Sequence, residues 1–591
     1  MTLRDSSTAG GNIKSEIRDG MRIDWDVPIA MEDGLLLRAD VFRPITEGSY
    51  PVLVTCGPYG KGLAFQDGFG FAYNKLTTDF PEVAAGTSQK YQCWETVDPE
   101  KWVPEGYVCV RVDSRGAGHS PGYMDLFSPR EVKDIYNAIE WAAVQPWSNG
   151  KVGMCGISYY AMNQWLVASL QPPHLAAMCA WEGAADSYRE WSRHGGILCT
   201  FAPYIADLQI KTVQHGVGRR GARSRVTGEF VAGPTTLSEE ELGANRADIG
   251  ADHLAHPLDD EFHKSRSPDW SKVTVPFLSA ANWGAQGIHL RGNIEAFVRA
   301  ASQEKWLEAH GLEHWTHFYT DYGVTLQKRF FAYYLQGETN GWREKQAPVT
   351  LQIRHPGNRF VERAEHEWPL ERTQWTKFYL DANALGLRAD TPGKGVITYN
   401  ALGDGLTFLT QPLASPTEIT GPIAAKLFIS SSTSDADLFL IVRVFSPDMK
   451  EVSFLGVVDP LTPVAQGWLR ASHRKLDAHL TRPYRPYHSH DEKQPLTPGE
   501  TVELDIEIWP TCIVVPPGFR IGLSVRGKDY QHAAAGKIPL LHQRVGPVVP
   551  NGVGPFFHDD PRDRPVSIFG GTVTIFCDEK RPSHLLLPII P

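Results

Sequence analysis

Short apolar runs alternate with helical patterns in the first third of the chain, and this alternation constrains the fold more than any other feature. Residues 52–56, 107–112, 151–155 and 175–180 are short runs with turn residues nearby, as in buried strands. Helical patterns connect the later runs. Parallel strands need such crossover connections, so this order predicts a parallel sheet covered by helices on both faces.

The sequence indicates where the first of these helices begins and where the second ends. Ser128 is suited to cap the first helix, Pro129 to occupy its first position, and Glu131 to complete a capping box. The second helix is predicted over 159–170, because prolines at 172–173 stop it.

Pattern changes divide the chain into four segments. Residues 1–185 and 272–347 carry the strand–helix alternation and form two parts of one α/β core. Residues 186–271 lose the strand pattern, which predicts a mostly helical cap inserted into the core. Residues 348–591 contain strand-like runs separated by Gly and Pro turns, which predicts a C-terminal all-β domain of the jelly-roll type.

Composition excludes several classes of partner and location. The 591 residues include 58 Lys and Arg against 68 Asp and Glu, a net charge of −10, which gives no reason to expect nucleic acid or an anionic membrane as partner. No apolar run approaches the roughly 18–20 residues of a membrane span, and the start of the chain lacks a secretion signal. The 8 cysteines have no regular spacing. We therefore expect a cytoplasmic protein with free thiols.

The sharpest chemical signal lies between the run at 151–155 and the helix after it. A nucleophile elbow needs a small residue two positions before its serine, because the strand-to-helix turn is crowded, and Gly156 and Ser158 satisfy this need. Position 160, where the usual pattern has a second glycine, is Tyr. The alternative is a structural serine at a helix start. The flanking strand and helix favour the elbow, and with it an α/β-hydrolase core.

A serine nucleophile needs a base, and in this fold a histidine follows the last strands. His310, His314 and His317 follow a predicted strand at 305–307. Their spacing of four and three would also suit a metal site on one helix face. Gly311 and Thr316 argue against a helix there, so a metal is not expected, although any one of these histidines could be purely structural.

Further motifs accompany the serine. They are Gln164-Trp165 in the elbow helix, Pro58-Tyr59 after an early strand, Arg115-Gly-x-Gly-x-Ser120, and Trp315-Thr-His317. In this combination the chain resembles the cocaine esterase and X-prolyl dipeptidyl-peptidase superfamily of α/β-hydrolases, the CocE/NonD type. The layout of core, cap and jelly roll resembles that family as well.

The resemblance implies roles for four residues. Ser158 would be the nucleophile and His317 the general base, while the Tyr59 hydroxyl and the Tyr159 backbone N–H would form the oxyanion hole. The chemistry of Tyr59 fits independently, because a neutral phenol can donate to a developing oxyanion. A packed aromatic at a proline turn is the alternative for Tyr59.

The acid of the triad is where the sequence departs from the family. The family has Trp-x-Asp-Gly after the strand that precedes the histidine segment, but no carboxylate occurs here between Asp269 and Glu295. Gln286 could orient an imidazole by hydrogen bonding. Glu182, just after the run at 175–180, is the preferred acid and keeps the chain order Ser, Glu, His. Its alternative role is to form a salt bridge or bind a substrate amine.

Two further carboxylates and four substrate contacts complete the predicted site. Glu313 and Asp321 are weaker candidates for the acid because they lie close to His317 in the chain. Substrate contacts are assigned to Trp181, Trp283, Gln286 and His314.

The predicted function is a serine hydrolase that cleaves carboxylic esters, or less readily amides, through an acyl-enzyme on Ser158. Neither a metal nor an organic cofactor is expected, and the partner is a small-molecule ester or amide; a homo-oligomer would suit an enzyme of this size. One alternative is an X-prolyl dipeptidyl-peptidase-like or aminoacyl-ester hydrolase. Another is a decayed hydrolase whose jelly roll serves as a binding module, which the missing Asp would favour.

Overall fold

The computed structural model describes residues 14–536 and 550–591. The strands up to residue 365 are β1 (Lys14–Arg18), β2 (Met21–Ala30), β3 (Leu36–Arg43), β4 (Tyr50–Gly57), β5 (Val108–Asp113), β6 (Ser148–Ile157), β7 (Leu175–Trp181), β8 (Arg193–His194), β9 (Ile197–Leu198), β10 (Phe277–Asn282), β11 (Lys305–His310), β12 (Val349–His355) and β13 (Arg359–Glu365). All but β8 and β9 form one sheet in the order β1-β2-β3-β5-β4-β6-β7-β10-β11-β12-β13.

The centre of this sheet, from β5 to β12, is parallel. Antiparallel pairs extend it on both sides. The register aligns Ile157 of β6 with Trp181 of β7, and Asn282 of β10 with His310 of β11. The residues that follow these strand ends therefore meet at one edge of the sheet, where ligands bind in open α/β folds.

Helices flank the first sheet, and further short helices lie in the inserted segment and near the C-terminus. They are α1 (Phe65–Gly68), α2 (Gly70–Asp79), α3 (Pro99–Trp102), α4 (Pro129–Ala143), α5 (Tyr159–Ala168), α6 (Phe201–Ile205), α7 (Glu239–Ala244), α8 (Ile249–Ala255), α9 (Glu261–Lys264), α10 (Leu290–Arg299), α11 (Thr316–Tyr319), α12 (Asp321–Phe331), α13 (Trp342–Lys345) and α14 (Val566–Phe569). Residues 186–271 contain α6 to α9 and the β8–β9 hairpin.

The start of α4 differs from the predicted capping box in one half. Ser128 Oγ accepts from the Glu131 N–H at 3.3 Å, as a cap does. The Glu131 carboxylate instead accepts from the Phe127 N–H at 2.6 Å and from the Tyr159 hydroxyl at 2.7 Å. The tertiary contact with Tyr159 thus takes the place of the reciprocal capping bond.

A second sheet forms the C-terminal domain. Its strands are β14 (Gln374–Asp381), β15 (Gly386–Arg388), β16 (Val396–Asn400), β17 (Leu406–Leu409), β18 (Thr417–Ser431), β19 (Asp437–Phe445), β20 (Ala465–Arg470), β21 (Val502–Val515), β22 (Arg520–Arg526), β23 (Thr572–Phe576) and β24 (His584–Ile590). They follow the order β16-β23-β18-β21-β20-β19-β22-β17-β15-β14-β24, and β24 also pairs with β18, which closes the sheet on itself.

The predicted α/β core with a C-terminal β-rich domain is confirmed. The first sheet continues past residue 347, where the sequence pattern places the start of the C-terminal domain, because β12 pairs with β11 and β13 pairs with β12. In the described part of the chain, no helix is long and apolar enough to span a bilayer.

Candidate active site

Ser158 lies in the sharp turn between β6 and α5. Its backbone has φ 55° and ψ −114°, and such a positive φ is rare for residues other than glycine and typical of strain at functional sites. Gly156 is required here, because a Cβ atom would lie 2.4 Å from Cβ of Tyr160. Tyr160 itself fits in place of the usual second glycine because Gly57 leaves room for its ring. The space that the elbow needs is thus provided partly from β4.

Tyr59 follows β4 and faces the nucleophile. Its hydroxyl shares a hydrogen bond with the Ser158 side chain, and its ring packs edge-on against Tyr159, with 5.8 Å between ring centroids. Burial raises the pKa of Tyr59 well above its usual value, so the phenol stays neutral and can donate. Tyr159 is the first residue of α5, so its N–H has no partner within the helix.

Glu182 follows β7 directly and is completely buried. Its Oε2 lies 2.8 Å from Nδ1 of His314, and its Oε1 lies 3.1 Å from Nε2 of His310 and 3.0 Å from Nδ2 of Asn282. Burial alone would favour the neutral acid, but His314 and His310 hold the pKa of Glu182 down at about 2. The group is therefore an ionised carboxylate at neutral pH.

His314 lies between two carboxylates. Nδ1 faces Glu182, and Nε2 lies 2.9 Å from Oε1 of Glu95. Burial disfavours the charged ring, yet the two glutamates raise the pKa of His314 to about 10. Burial also raises the pKa of Glu95, which His314 opposes. The imidazole is therefore oriented by Glu182 and held by Glu95 at the nitrogen that a general base would use.

His310 contacts Oε1 of Glu182, the oxygen that does not face His314. Its Nδ1 lies 2.6 Å from Oε2 of Glu308, and its Nε2 contacts Glu182. Burial lowers the pKa of His310, but Glu308 and Glu182 outweigh this effect and raise it to about 9. A protonated His310 thus fixes the Glu182 carboxylate through a charged hydrogen bond.

These groups open into one cavity of about 920 Å³, including its mouth. Ser158, Tyr59, Tyr159, Glu95, Gln209, His314 and His289 contribute its polar wall. Apolar and aromatic side chains form the remainder, namely Trp94, Met162, Trp191, Phe201, Tyr204, Ile205, Leu208, Ile288, Val457, Val458, Pro555 and Phe556. The two valines and the last two residues come from the C-terminal half of the chain, so both halves shape the pocket. An apolar pocket with a few convergent polar groups suits a small organic substrate.

The structure does not bring every predicted residue to this cavity. His317 is the second residue of α11, and its ring packs 5.2 Å from those of His310 and Tyr322, measured between centroids. Burial lowers the pKa of His317 to about 3. His314 precedes α11 in the chain. His314, and not His317, lines the cavity and contacts Glu182.

Three residues predicted to contact substrate have structural partners instead. Trp181 is completely buried against His310, with 5.1 Å between ring centroids. Trp283 donates its indole N–H to the Gln352 carbonyl at 3.0 Å. Gln286 accepts from the Gln466 N–H at 3.2 Å, which joins it to β20 rather than to an imidazole. Within the described ranges, none of these three lines the cavity.

The weaker acid candidates have other places in the described structure. Glu313 accepts from the Thr316 hydroxyl at 2.9 Å and pairs with Lys75 at 3.2 Å. Asp321 begins α12.

Glu95 and His289 line the cavity although the sequence did not point to them. The Glu95 loop carries neither a strand nor a helix pattern, and its only signal is a carboxylate inside the aromatic-rich run 91–96. His289 stacks on His314 with 5.4 Å between ring centroids, and its Nδ1 accepts from the Ala184 N–H at 3.1 Å. Burial lowers the pKa of His289 to about 3, so this ring is neutral.

Comparison with known proteins agrees with this architecture. Residues 33–319 match the family described as X-Pro dipeptidyl-peptidase (S15 family), and residues 340–585 match the X-Pro dipeptidyl-peptidase C-terminal non-catalytic domain. Cocaine esterase from Rhodococcus sp. (strain MB1 Bresler) is 25% identical over 640 residues, which cover 96% of this chain and 98% of the esterase.

Solved structures give the same result. An aminopeptidase from a marine sediment archaeon, Thaumarchaeota archaeon, is 18% identical with a TM-score of 0.68 over the full length of both chains, which shows a shared fold. A CocE/NonD family hydrolase from Staphylococcus aureus is 30% identical with a TM-score of 0.82, over 100% of this chain and 99% of that chain. The predicted family and enzyme class are confirmed: this chain belongs to the CocE/NonD family of hydrolases.

Proposed function

We propose that the chain is a serine hydrolase that cleaves carboxylic esters with an apolar or aromatic acyl group. The observation that carries this proposal is the 2.8 Å bond between buried Glu182 and His314 in the cavity that also holds Ser158. A carboxylate, an imidazole and a serine in chain order Ser, Glu, His meet the needs of a catalytic triad. The base proposed is His314 in place of the predicted His317.

In this mechanism Ser158 attacks the acyl carbon and His314 Nε2 takes its proton. The ester oxygen leaves with that proton, and water then releases the acyl group by the same route. Glu182 orients the ring and stabilises the imidazolium that forms. Tyr59 and the Tyr159 N–H donate to the oxyanion.

Two hydrogen bonds of the resting site must change before this attack. The Tyr59 hydroxyl bonds the Ser158 side chain, and it would turn to the substrate carbonyl when that oxygen arrives. His314 Nε2 bonds Glu95, and it must exchange this carboxylate for the serine hydroxyl. Binding of the substrate, or protonation of the Glu95 carboxylate, would cause this exchange of hydrogen-bond partners.

A second candidate is the hydrolysis of aminoacyl esters or X-prolyl amides, which the S15 match favours. Its specific support is Glu95, a buried carboxylate in the cavity wall whose Oε1 lies 2.9 Å from Nε2 of His314. A substrate α-ammonium group could pair with this carboxylate. Such pairing would also free His314 Nε2 for catalysis.

The test is covalent labelling by a fluorophosphonate probe, with the labelled residue mapped by mass spectrometry. We expect labelling of Ser158 that is lost in Ser158→Ala. Turnover of p-nitrophenyl esters and of alanyl-prolyl p-nitroanilide by the same preparation separates the two candidates. Folded protein that shows neither labelling nor turnover would contradict both candidates. That result would favour a decayed hydrolase whose C-terminal domain acts as a binding module. We propose that this domain is a jelly roll.

A further inference from the structure

A second cluster of reactive side chains lies away from the triad, where the inserted segment meets the C-terminal domain. His194 is in β8, Cys199 directly follows β9, and His558 lies in the last part of the chain. The three are 0–2% exposed, and one donor atom from each lies within 4.8 Å of the others. Imidazole nitrogens and thiolate sulfurs are both zinc ligands, and two imidazoles with one thiolate can also bind copper.

Proton accounting shows that two neutral imidazoles leave this cluster unsatisfied, and that without a metal the buried His558 must carry a positive charge opposite Asp529. His558 Nδ1 lies 2.7 Å from Oδ1 of Asp529, so that nitrogen carries the hydrogen. Its other nitrogen, Nε2, lies 2.7 Å from Nδ1 of His194. In neutral rings the hydrogen between them must belong to His194. The lone pair on His194 Nε2 then has no hydrogen-bond donor among the described residues, which is costly in a buried group.

A metal ion between the two rings removes this cost. Both facing nitrogens would become ligands, and the hydrogen of His194 would move to Nε2. The backbone carbonyls of Gly287 and Glu190 act on this ring. His558 would keep its bond to Asp529. Imidazole ligands usually donate their second N–H to a carboxylate or carbonyl in this way.

The distances require only a small adjustment. The two nitrogens are 2.7 Å apart. Tetrahedral zinc with bonds of about 2.0–2.1 Å needs them roughly 3.3 Å apart. The rings would therefore separate by about half an ångström, and Cys199 would rotate toward them. Binding replaces the thiol hydrogen with a zinc–sulfur bond and releases one proton to solvent.

The surroundings hold the ligands in place. The His194 ring stacks on Trp468 of β20, with 4.7 Å between ring centroids. The hairpin turn also sits directly on that strand, because a Cβ atom on Gly195, which has φ 54°, would lie 2.1 Å from the Trp468 carbonyl oxygen. This close contact joins the hairpin to the C-terminal domain at the cluster.

We propose that His194, Cys199 and His558 form a zinc site that joins the inserted segment to the C-terminal domain. The three protein ligands leave a fourth position for a small ligand such as water. The site would also shape the substrate cavity. Phe201 and Phe556 line that cavity and pack against each other, with 4.7 Å between ring centroids. Phe201 lies two residues after Cys199, and Phe556 lies two residues before His558. This proposal revises the sequence-based expectation that the chain binds no metal, and it does not depend on the proposed ester hydrolysis.

Metal analysis of the full-length, tag-free protein tests this site. We expect about one zinc per chain after growth in zinc-supplemented medium, and removal by a chelator should lower the thermal midpoint. Cobalt added to the chelated protein should give visible ligand-field bands and a near-ultraviolet thiolate-to-cobalt band. Cys199→Ser should lose the thiolate band, whereas the control Cys577→Ser, also a buried thiol, should keep it.

Two results would overturn the site. One is wild-type protein that holds less than about a tenth of an equivalent of zinc and gives no cobalt bands, which would leave a hydrogen-bonded histidine pair. The other is a thiolate band that persists in Cys199→Ser. If that variant fails to fold, the zinc content and cobalt spectrum of the wild-type protein still decide the question.

Discussion

Oε2 of Glu182 lies 2.8 Å from Nδ1 of His314, and the carboxylate comes from the strand next to the one that carries Ser158. Asn282 ends β10, and it donates to the other oxygen of Glu182 at 3.0 Å. The charge that orients the imidazole therefore comes from β7, and an amide on β10 positions it. This relationship makes the missing aspartate compatible with catalysis.

Glu182→Gln should reduce kcat/KM for a p-nitrophenyl ester by about 10²–10⁴-fold, because a neutral amide does not stabilise the imidazolium. Steady-state kinetics with circular dichroism of the same sample checks this. Glu313→Gln serves as the matched control and should stay near the wild-type rate. Turnover of Glu182→Gln within a few-fold of wild type would exclude Glu182 as the acid.

His314→Asn and His317→Asn should differ sharply. The first removes the group that contacts Glu182 and should lower kcat by about 10³-fold or more, whereas the second alters a ring outside the cavity. Fluorophosphonate labelling rates and kcat measure both. The reverse order, with loss only in His317→Asn, would return the role of base to His317.

Glu95→Gln should shift the pH dependence of kcat/KM to lower pH. The base must be neutral to accept a proton, so activity rises with pH through the pKa of His314, which the two glutamates raise to about 10. Removal of one charge should lower this pKa by about one unit or more and increase kcat/KM for neutral esters at pH 7.

A kcat/KM profile from pH 6 to 10 measures the shift, and Glu308→Gln, which contacts His310 instead, is its control. An unmoved acid limb in Glu95→Gln would mean that Glu95 does not hold the base. If amine-bearing substrates are the natural ones, the same variant should raise their KM while KM for neutral esters changes little.

Tyr59→Phe should lower kcat by about 10²–10³-fold with little change in KM, because the hydroxyl donates mainly to the oxyanion of the transition state. Tyr204→Phe, another phenol in the cavity wall, is the control and should remain close to wild type. An equal, small effect of both substitutions would remove Tyr59 from the oxyanion hole.

Local patterns predicted the elements around the nucleophile because their causes are local. Apolar β-branched runs become buried strands wherever they lie in the sheet, Ser128 and Pro129 begin α4 through bonds within one turn, and Gly156 is needed by the elbow itself. The same reasoning missed β12 and β13 as members of the first sheet, because strand propensity does not identify the pairing partner.

The sequence by itself determined the α/β core, the serine at its elbow, the family and the set of histidines among which the base is proposed. Only the tertiary structure decided which histidine meets Glu182 and that Glu95 occupies its far side. His314 and His317 are three residues apart with the same chemistry, and the start of α11 directs their rings to different places. Such a choice depends on strand register and helix placement over more than a hundred residues, which spacing along the chain does not contain.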